Sequence, residues 1–246
     1  MTDSIPRILS CGDTALTVDF GNVISITVNR RVRDLADALE RAGLPGLIEM
    51  VPAYRSLTIH FDPLILSREA LKSEVLQRHA MEDTSNMSPA RRWRVPVVFG
   101  GAFGEDLNAC ADLAGLPPAL FIEAFITPLY QVMMVGFLPG FSYLAGLPET
   151  LGRPRRSTPR AKVPAGSVSI GGMQAAVGSV EGPSGWHLLG RTPALPFHGS
   201  RDPMFLFEAG DEIRFEPVGV AQWERLSKAA ADGAPVVWTD DVGGGS

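Results

Sequence analysis

The side chains best suited to chemistry are concentrated between Gly136 and Pro193. Three glycine- and proline-rich segments lie there: GFLPGFSYLAGLP, TPRAKVPAGSVSIGG and PSGWHLLGRTP. Glycine reaches backbone conformations that other residues avoid, and proline fixes φ and lacks an N–H. Segments so rich in both indicate a backbone that is shaped around a ligand or a partner. We therefore interpret this region as a binding site or an interface with another protein.

The polar chemistry of this region comes mainly from arginines and one histidine. Arg155, Arg160 and Arg191 could form bidentate hydrogen bonds to carboxylate or phosphate. His187 is the side chain of the cluster whose unperturbed pKa suits proton transfer near neutrality. Four aromatic residues could form apolar walls that exclude water: Phe137, Phe141, Tyr143 and Trp186. The structural alternative places the aromatics in a barrel core, the glycines in turns and the arginines in solvent.

Several enzyme classes leave no signature in this chain. The sequence contains no GxxxxGK[ST], GxGxxG, HExxH or EF-hand pattern, and its four histidines are dispersed, so we predict no metal site. Gly140–Leu144 resembles a GxSxG nucleophile elbow, but Leu144 replaces the last glycine, which disfavours Ser142 as a nucleophile. Cys110 lies on the inner stripe of a predicted helix and is expected in the core.

Composition predicts a cytoplasmic globular protein. Of 246 residues, 45% are hydrophobic, and the net charge of −5 argues against a general nucleic-acid binder. The two cysteines have no metal-ligand spacing and fit a reducing compartment. No signal peptide is recognisable, and no window approaches the ~20 apolar residues of a membrane span. The terminal GGGS is interpreted as a disordered tail.

The N-terminal third predicts a small α+β domain over residues 1–85. Helical spacing of apolar residues predicts a helix from Val28 to Ala42 that ends at Gly43, and Ser67 is a suitable cap for a second helix. The predicted strands are Ala15–Phe20, Leu47–Val51 and Leu57–Phe61. The polar segment Met81–Pro89 is predicted to be a linker.

Short strands between turns predict a β-barrel or sandwich over residues 90–220. One helix is predicted at Glu105–Ala114, and a second, short helix begins after Leu116-Pro117-Pro118 and continues to Phe125. Gly171-Gly172 suits a hairpin turn. The predicted strands are Arg94–Gly100, Tyr130–Val135, Val168–Ile170, Ala175–Val177, Trp186–Leu189, Met204–Phe207 and Ile213–Phe215. A helix and a flexible tail are expected at 221–246.

The three segments, in this order and spacing, closely resemble the allophanate hydrolase subunit 1 family. Cys11-Gly12-Asp13, Val51-Pro52-Ala53-Tyr54 and Phe61-Asp62-Pro63 extend the resemblance over most of the chain, to about Pro217. That family includes the B subunit of prokaryotic 5-oxoprolinase and the KipI inhibitor of a sporulation histidine kinase. The resemblance implies an α+β N-terminal domain followed by a mainly-β, cyclophilin-like barrel domain.

The resemblance also implies an activity that this chain shares with partners. It is similar to the B subunit of an ATP-dependent 5-oxoprolinase, an amidohydrolase complex that converts 5-oxo-L-proline to L-glutamate and whose B subunit is inactive alone. The implied partners are the A subunit of 5-oxoprolinase and its C subunit, which is a protein of the allophanate hydrolase subunit 2 type, with no nucleic acid and no membrane. ATP is expected at the level of the complex, since this chain shows no phosphate-binding fingerprint of its own.

Two alternatives stay open. The first is a carboxyltransferase half-site for urea or allophanate, in which another protein carries biotin. The second is a KipI-like inhibitor of a histidine kinase. Three positions depart from the family pattern: Phe125 replaces an expected histidine, Ser184 a glycine, and His187 a glutamine or asparagine.

The residues predicted to form the site belong to two groups. Those expected to be catalytic are His187, Arg160 and Arg191. Those expected to bind substrate are Gly136, Phe137, Pro139, Gly140, Phe141, Arg155, Pro164, Gly166 and Trp186.

Overall fold

The chain forms two compact units, residues 1–89 and 90–246. A computed structural model describes residues 5–80 and 91–239. The predicted linker Met81–Pro89 and the GGGS tail lie outside the described residues. Within residues 5–80 and 91–239 no single helix is long and apolar enough to cross a membrane; two consecutive short helices, Leu107–Ala114 and Pro118–Ile126, reach that length and composition together, with a bend of 91°.

The first unit is an antiparallel sheet with two helices, as the sequence predicts. Its elements are β1 Arg7–Ser10, β2 Ala15–Asp19, α1 Ile26–Ala42, β3 Leu47–Pro52, β4 Ser56–Phe61 and α2 Arg68–Ala80. The sheet order is β1-β2-β4-β3. Alternate β4 residues (Leu57, Ile59 and Phe61) are fully buried against the apolar sides of the helices. Gly43 ends α1 with φ 55°, and the Ser67 hydroxyl accepts the Ala70 N–H at 3.2 Å, so both predicted caps are confirmed.

The second unit is a barrel with short helices. Its elements are β5 Arg92–Phe99, α3 Leu107–Ala114, α4 Pro118–Ile126, β6 Tyr130–Val135, β7 Ser142–Ala145, β8 Arg160–Val163, β9 Ser167–Gly171, β10 Gln174–Val177, β11 Gly182–Ser184, β12 His187–Arg191, β13 Glu212–Pro217, α5 Val220–Ala231 and β14 Trp238–Thr239. Seven strands close on themselves in the order β12-β9-β10-β7-β6-β13-β5 and back to β12. The β13–β5 pair is parallel and the other six pairs are antiparallel. The predicted combination of an α+β unit and a barrel is confirmed.

Additional strands lie outside the closed circuit. β8 and β11 form a separate two-stranded ribbon, and β14 adds to the start of β5. The pairing of Gly171 with Gln174 across a two-residue turn confirms the predicted hairpin, in which Gly172 has φ 63°.

The predicted strand at Met204–Phe207 is wrong. Only Phe205 forms a bridge there, with Phe197. The guanidinium of Arg201 donates to the carbonyl oxygens of Leu195, Pro196 and Met204 at 3.0–3.2 Å. Two of these carbonyl groups also accept backbone N–H groups, Pro196 from Leu206 at 2.8 Å and Met204 from His198 at 3.0 Å. The backbone pairing stops at this one bridge, and the rest of the segment is a loop.

Candidate functional site

An open cavity of about 310 Å³ brings parts of all three glycine- and proline-rich segments together. Its lining residues are Phe137, Phe141, Tyr143, Arg155, Arg156, Pro159, Pro183, Ser184, Gly185 and Trp186. The volume is at the lower end of the range for small-molecule sites. The lining is apolar on most sides and carries two arginines, Arg155 and Arg156.

The cavity lies on the outer side of the barrel wall. Side chains alternate along a strand, and Leu144 of β7 belongs to the barrel core, so Tyr143 points outward. Ala176 of β10 is directly opposite Tyr143 and packs in the same outer cluster with Phe141 and Trp186. These side chains form the floor of the cavity.

Gly171 leaves room for the indole of Trp186 at the end of β9. A Cβ at this glycine would be 2.6 Å from Cδ2 of the indole, so the ring or the strand would have to shift. The indole is 5% exposed, and the backbone N–H of Trp186 donates to the Ser184 hydroxyl at 3.1 Å. The backbone and the neighbouring serine therefore fix the position of this wall.

Aromatic contacts connect the floor to the mouth of the cavity. The ring of Phe141 is 4.8 Å from Tyr143 and 6.2 Å from Trp186, and it meets the ring of Phe137 edge-on at 5.7 Å, measured between centroids. Phe137 is 63% exposed and has φ 72°, a left-handed conformation that costs a residue with a side chain about 1–2 kcal/mol. A strained, exposed aromatic residue at a cavity mouth is typical of a binding surface.

The two arginines of the cavity have different surroundings. Arg155 is exposed, and its guanidinium carbon is 5.6 Å from the centroid of the Trp186 ring. Arg156 donates its backbone N–H to the Gly185 carbonyl at 2.7 Å, and its guanidinium is 3.0 Å from Asp106. Arg156 is therefore fixed by the protein, whereas Arg155 faces the open cavity.

Asp106 supports the cavity wall from beneath. Its carboxylate accepts hydrogen bonds from Arg156 at 3.0 Å, from Arg160 at 2.8 and 2.9 Å, and from the Leu188 N–H at 2.8 Å. Burial alone would raise the pKa of this carboxyl group, but the hydrogen bonds from Arg160 and Leu188 and the charges of both arginines lower it overall. Asp106 is thus an anion at neutral pH that joins the arginine loop to β12.

The predicted catalytic residues do not line this cavity. Arg160 is paired with Asp106 and with Glu105, the latter at 3.2 Å. His187 Nε2 is 2.9 Å from the Pro154 carbonyl oxygen; because a carbonyl only accepts, Nε2 carries the proton. Arg191 donates to the Ala165 carbonyl at 2.9 Å, and its guanidinium lies over Trp223. Their catalytic roles stay predictions.

Of the predicted substrate-binding residues, four line the cavity: Phe137, Phe141, Arg155 and Trp186. At Gly140 and Gly166 the absence of a side chain is explained by packing within the protein. A Cβ at these positions would be 2.7 Å from Phe197 and 2.2 Å from the Thr192 carbonyl oxygen, respectively.

The other three predicted residues make contacts within the protein. Gly136 donates its N–H to the Phe141 carbonyl at 3.0 Å. The carbonyl groups of Pro139 and Pro164 accept from the hydroxyls of Ser179 and Ser167, respectively. These residues shape the loops that carry the site, and direct contact with substrate stays a prediction for them.

The candidate nucleophiles are buried away from the cavity. Ser142 is fully buried and donates to the Gly140 carbonyl at 3.0 Å. Burial raises the pKa of the Cys110 thiol to about 11, as expected for a core cysteine. Phe125 stacks on Phe215 in the barrel core, with centroids 5.3 Å apart, so the position where the family pattern suggests histidine does not face the cavity. Across the described ranges no three His, Cys, Asp or Glu side chains cluster as metal ligands would.

Sequence reasoning did not identify part of the cavity. Arg156, Pro159, Pro183 and Ser184 line it, and Asp106 supports it, yet none of them was assigned to the site. The four lining residues could have been found from their position beside predicted ones. Asp106 carries no such signal, because its partners are 50 to 82 residues away in sequence.

Known proteins match this chain over most of its length. Residues 6–207 match the family model of the carboxyltransferase domain, subdomain C and D. The B subunit of 5-oxoprolinase from Bacillus subtilis is 36% identical over 219 residues, which cover 85% of this chain and 91% of that protein. The B subunit of 5-oxoprolinase from Escherichia coli O157:H7 is 38% identical over 208 residues, which cover 84% and 93%.

Solved structures agree with this assignment. The crystal structure of TTHA0988 has a TM-score of 0.74 and 35% identity over 83% of this chain, which spans only 40% of that protein. The Kluyveromyces lactis urea carboxylase has a TM-score of 0.79 at 19% identity over 96% of this chain and 24% of that protein, a likeness of fold alone. The resemblance found in the three segments is confirmed: this chain belongs to the carboxyltransferase-domain family, subdomains C and D, together with the B subunits of 5-oxoprolinase.

Proposed function

We propose that this chain is the B subunit of an ATP-dependent 5-oxoprolinase. The complex adds water across the ring amide of 5-oxo-L-proline: the C–N bond breaks, the carbonyl carbon takes the hydroxyl and the nitrogen takes the proton, which gives L-glutamate. Relatives with that name, 36–38% identical over 91–99% of their length, support the assignment. The proposed partners are the A subunit of the complex and its C subunit, which is of the allophanate hydrolase subunit 2 type.

The chemistry of the cavity carries the proposal that this chain needs partners. Among the described residues, its lining contains aromatic residues, prolines, arginines, a serine and a glycine, but no cysteine, histidine or carboxylate. Burial raises the pKa of Tyr143, so this hydroxyl is protonated at neutral pH. The described lining can therefore hold and orient a substrate, but it offers no group that exchanges a proton near neutrality. A second protein must supply that group.

ATP does not fit the described lining. Nucleotide phosphates need a Mg²⁺ ligand and a cluster of backbone N–H groups or free cations. The described residues place no carboxylate on the surface of the cavity, and one of its two arginines, Arg156, is already in an ion pair with Asp106. We therefore place nucleotide binding on a partner protein and assign no step on this chain to it.

Reconstitution tests the proposed function. The purified A, B and C subunits are incubated with ATP and 5-oxo-L-proline, and glutamate is measured by an enzyme-coupled assay. We expect glutamate only when all three are present. If omission of this chain leaves the rate of glutamate formation unchanged, the proposed function is wrong.

A carboxyltransferase half-site for urea is the second candidate, because the fold of the Kluyveromyces lactis urea carboxylase matches nearly the whole chain. In that case another protein would deliver carboxybiotin. Avidin separates the two candidates: it should abolish ATP- and bicarbonate-dependent urea carboxylation and leave 5-oxoproline hydrolysis intact. Inhibition of a histidine kinase stays a prediction, for which pull-down of a kinase dimerisation domain would be the test.

A further inference from the structure

The arginines of the loop before β8, and Arg160 at the first position of β8, differ in which acceptors their N–H groups bind. Arg153 donates to the carbonyl groups of Thr150, Gly152 and Cys110 at 2.6–3.3 Å. Arg156 and Arg160 share the Asp106 carboxylate. Arg155 makes no hydrogen bond or ion pair with any residue in the described ranges, although it lies between residues that do.

The contact with Trp186 holds Arg155 at the cavity without using its donors. A guanidinium over an indole face is attracted by about 0.5–1 kcal/mol at an exposed site. At 5.6 Å from the ring centroid, the charge is held near the wall while its five N–H groups stay available to a ligand. The buried rings of Phe141 and Trp186 form an apolar wall on one side of it, and the lower polarity on that side strengthens a hydrogen bond to an anion.

The charge of the cavity is set by this one side chain. No carboxylate is among the described lining residues, and the charges of Arg156 and Arg160 are balanced by Asp106, which both share, together with Glu105. Arg155 therefore leaves the cavity with an uncompensated positive charge next to flat apolar walls. A small ring compound that carries a carboxylate complements both features, whereas a neutral amide complements only the walls.

From these contacts we infer that Arg155 binds the carboxylate of the substrate and so selects anionic lactams over neutral amides. This inference rests on the proposed function, since it identifies the part of the same cavity that determines substrate class. It assigns Arg155 a binding role, and the amide is placed against the aromatic walls.

A comparison of two ligands and three variants tests this role on the full chain. The ligands are 5-oxo-L-proline and 2-pyrrolidinone, which share the lactam ring and differ in the carboxylate. Binding is followed by saturation-transfer NMR and by tryptophan fluorescence, to which Trp186 contributes. Arg155→Gln removes the charge, Arg155→Lys keeps it, and Arg225→Gln removes an exposed arginine of α5 as the matched control.

We expect the wild-type chain and Arg225→Gln to bind 5-oxo-L-proline about 10-fold more tightly than 2-pyrrolidinone, the ratio expected for one charge-assisted pair. Arg155→Gln should bind both ligands equally weakly, and Arg155→Lys should keep part of the preference. Equal binding of the two ligands by the wild type, an unchanged preference in Arg155→Gln, or no saturable binding of either ligand would overturn the inference.

Hydrolysis by the reconstituted complex separates this inference from the proposed function. A complex that is active, with the same KM in Arg155→Gln as in wild type, refutes the role of Arg155 and leaves the function in place. A chain with charge-selective binding that supports no hydrolysis refutes the function and leaves an anion site at Arg155.

Discussion

Replacement of Asp106 by asparagine should weaken the barrel unit, because this carboxylate holds several elements together. It accepts bonds from Arg156, Arg160 and the backbone of Leu188. Asparagine has nearly the same size but only one accepting oxygen, and its NH₂ group would face guanidinium donors. Arg156 would lose its counter-charge, Arg160 would keep only the more exposed Glu105, and some of the donors would lose their acceptor.

The size of the effect follows from burial. Breaking a buried ion pair by removal of one partner costs about 3–5 kcal/mol. The side chains of Arg156 and Arg160 are 31% and 20% exposed, so water solvates part of the orphaned charge. We therefore expect a loss of about 2–3 kcal/mol in the free energy of unfolding. For a unit of this size that corresponds to a Tm about 5–10 °C lower.

Tryptophan fluorescence during thermal unfolding measures this loss in the barrel unit alone. All four tryptophans, at positions 93, 186, 223 and 238, belong to residues 90–246. Asp112→Asn, which changes an exposed aspartate on α3, is the matched control and should melt with the wild-type protein. The scans are repeated at several pH values between neutrality and acid.

The pH dependence gives the sign of the electrostatic contribution. The hydrogen bonds and charges around Asp106 lower its pKa in the folded protein below the unfolded value of about 3.9. Its stabilisation is therefore complete above the unfolded pKa and is lost as the pH falls through the folded one. The difference in Tm between wild type and Asp106→Asn should be largest at pH 7 and should decrease below about pH 4. Equal melting at pH 7, or a difference that persists in acid, would refute the role given to this carboxylate.

Three further predictions use the same protein. Gly166→Ala should lower the Tm of the barrel unit more than Gly115→Ala, since both glycines have φ 67–76° but only at Gly166 would the new Cβ meet a backbone oxygen, at 2.2 Å; equal losses would contradict this. Ellman's reagent should modify one thiol in the native chain, the exposed Cys11, and reach Cys110 only after unfolding, because burial raises the pKa of Cys110 to about 11; two fast thiols would contradict it. Phe125→His should cost about 3 kcal/mol and leave hydrolysis by the complex no faster, because the imidazole would be buried among the rings of Phe99, Tyr130 and Phe215, away from the cavity; a faster reaction would show that this position takes part in chemistry.

Local patterns predicted the elements whose determinants are close in sequence. The helix that ends at Gly43 and the hairpin at Gly172 both follow from a glycine with positive φ after a periodic segment. β8 and β11 were not predicted, since the strands of this ribbon are three or four residues long and lie in glycine- and proline-rich sequence. Their pairing is a tertiary event, and short strands without alternation carry no periodic signal.

The candidate site, too, could be predicted from the sequence only in part. Aromatic residues of the three segments were predicted to form walls, and Phe141, Tyr143 and Trp186 do meet on the outer face of the barrel. The glycines did not distinguish a binding site from ordinary packing. A glycine is needed both where the backbone approaches a ligand and where it approaches another part of the protein. Gly166 is needed for packing. Asp106 directly precedes α3, where an aspartate ordinarily caps the helix, yet it makes no capping bond and is directed to arginines that sequence alone cannot place beside it.

The surroundings of His187 support a model in which this chain binds the substrate and a partner protein transfers the proton. Its Nε2 proton is donated to the Pro154 carbonyl, and the ring does not line the cavity. Nδ1 keeps the proton-exchanging capacity of the ring, but His187 is not among the residues that line the cavity, so the ring would have to move toward the substrate to reach the amide nitrogen of a lactam. The exposed ring of Phe137, in its strained backbone conformation, lies at the mouth where a partner would cover the cavity. A partner at this mouth could exclude water and bring its own acid or base to the amide while Arg155 retains the carboxylate, so the proposed reaction requires no catalytic movement within this chain.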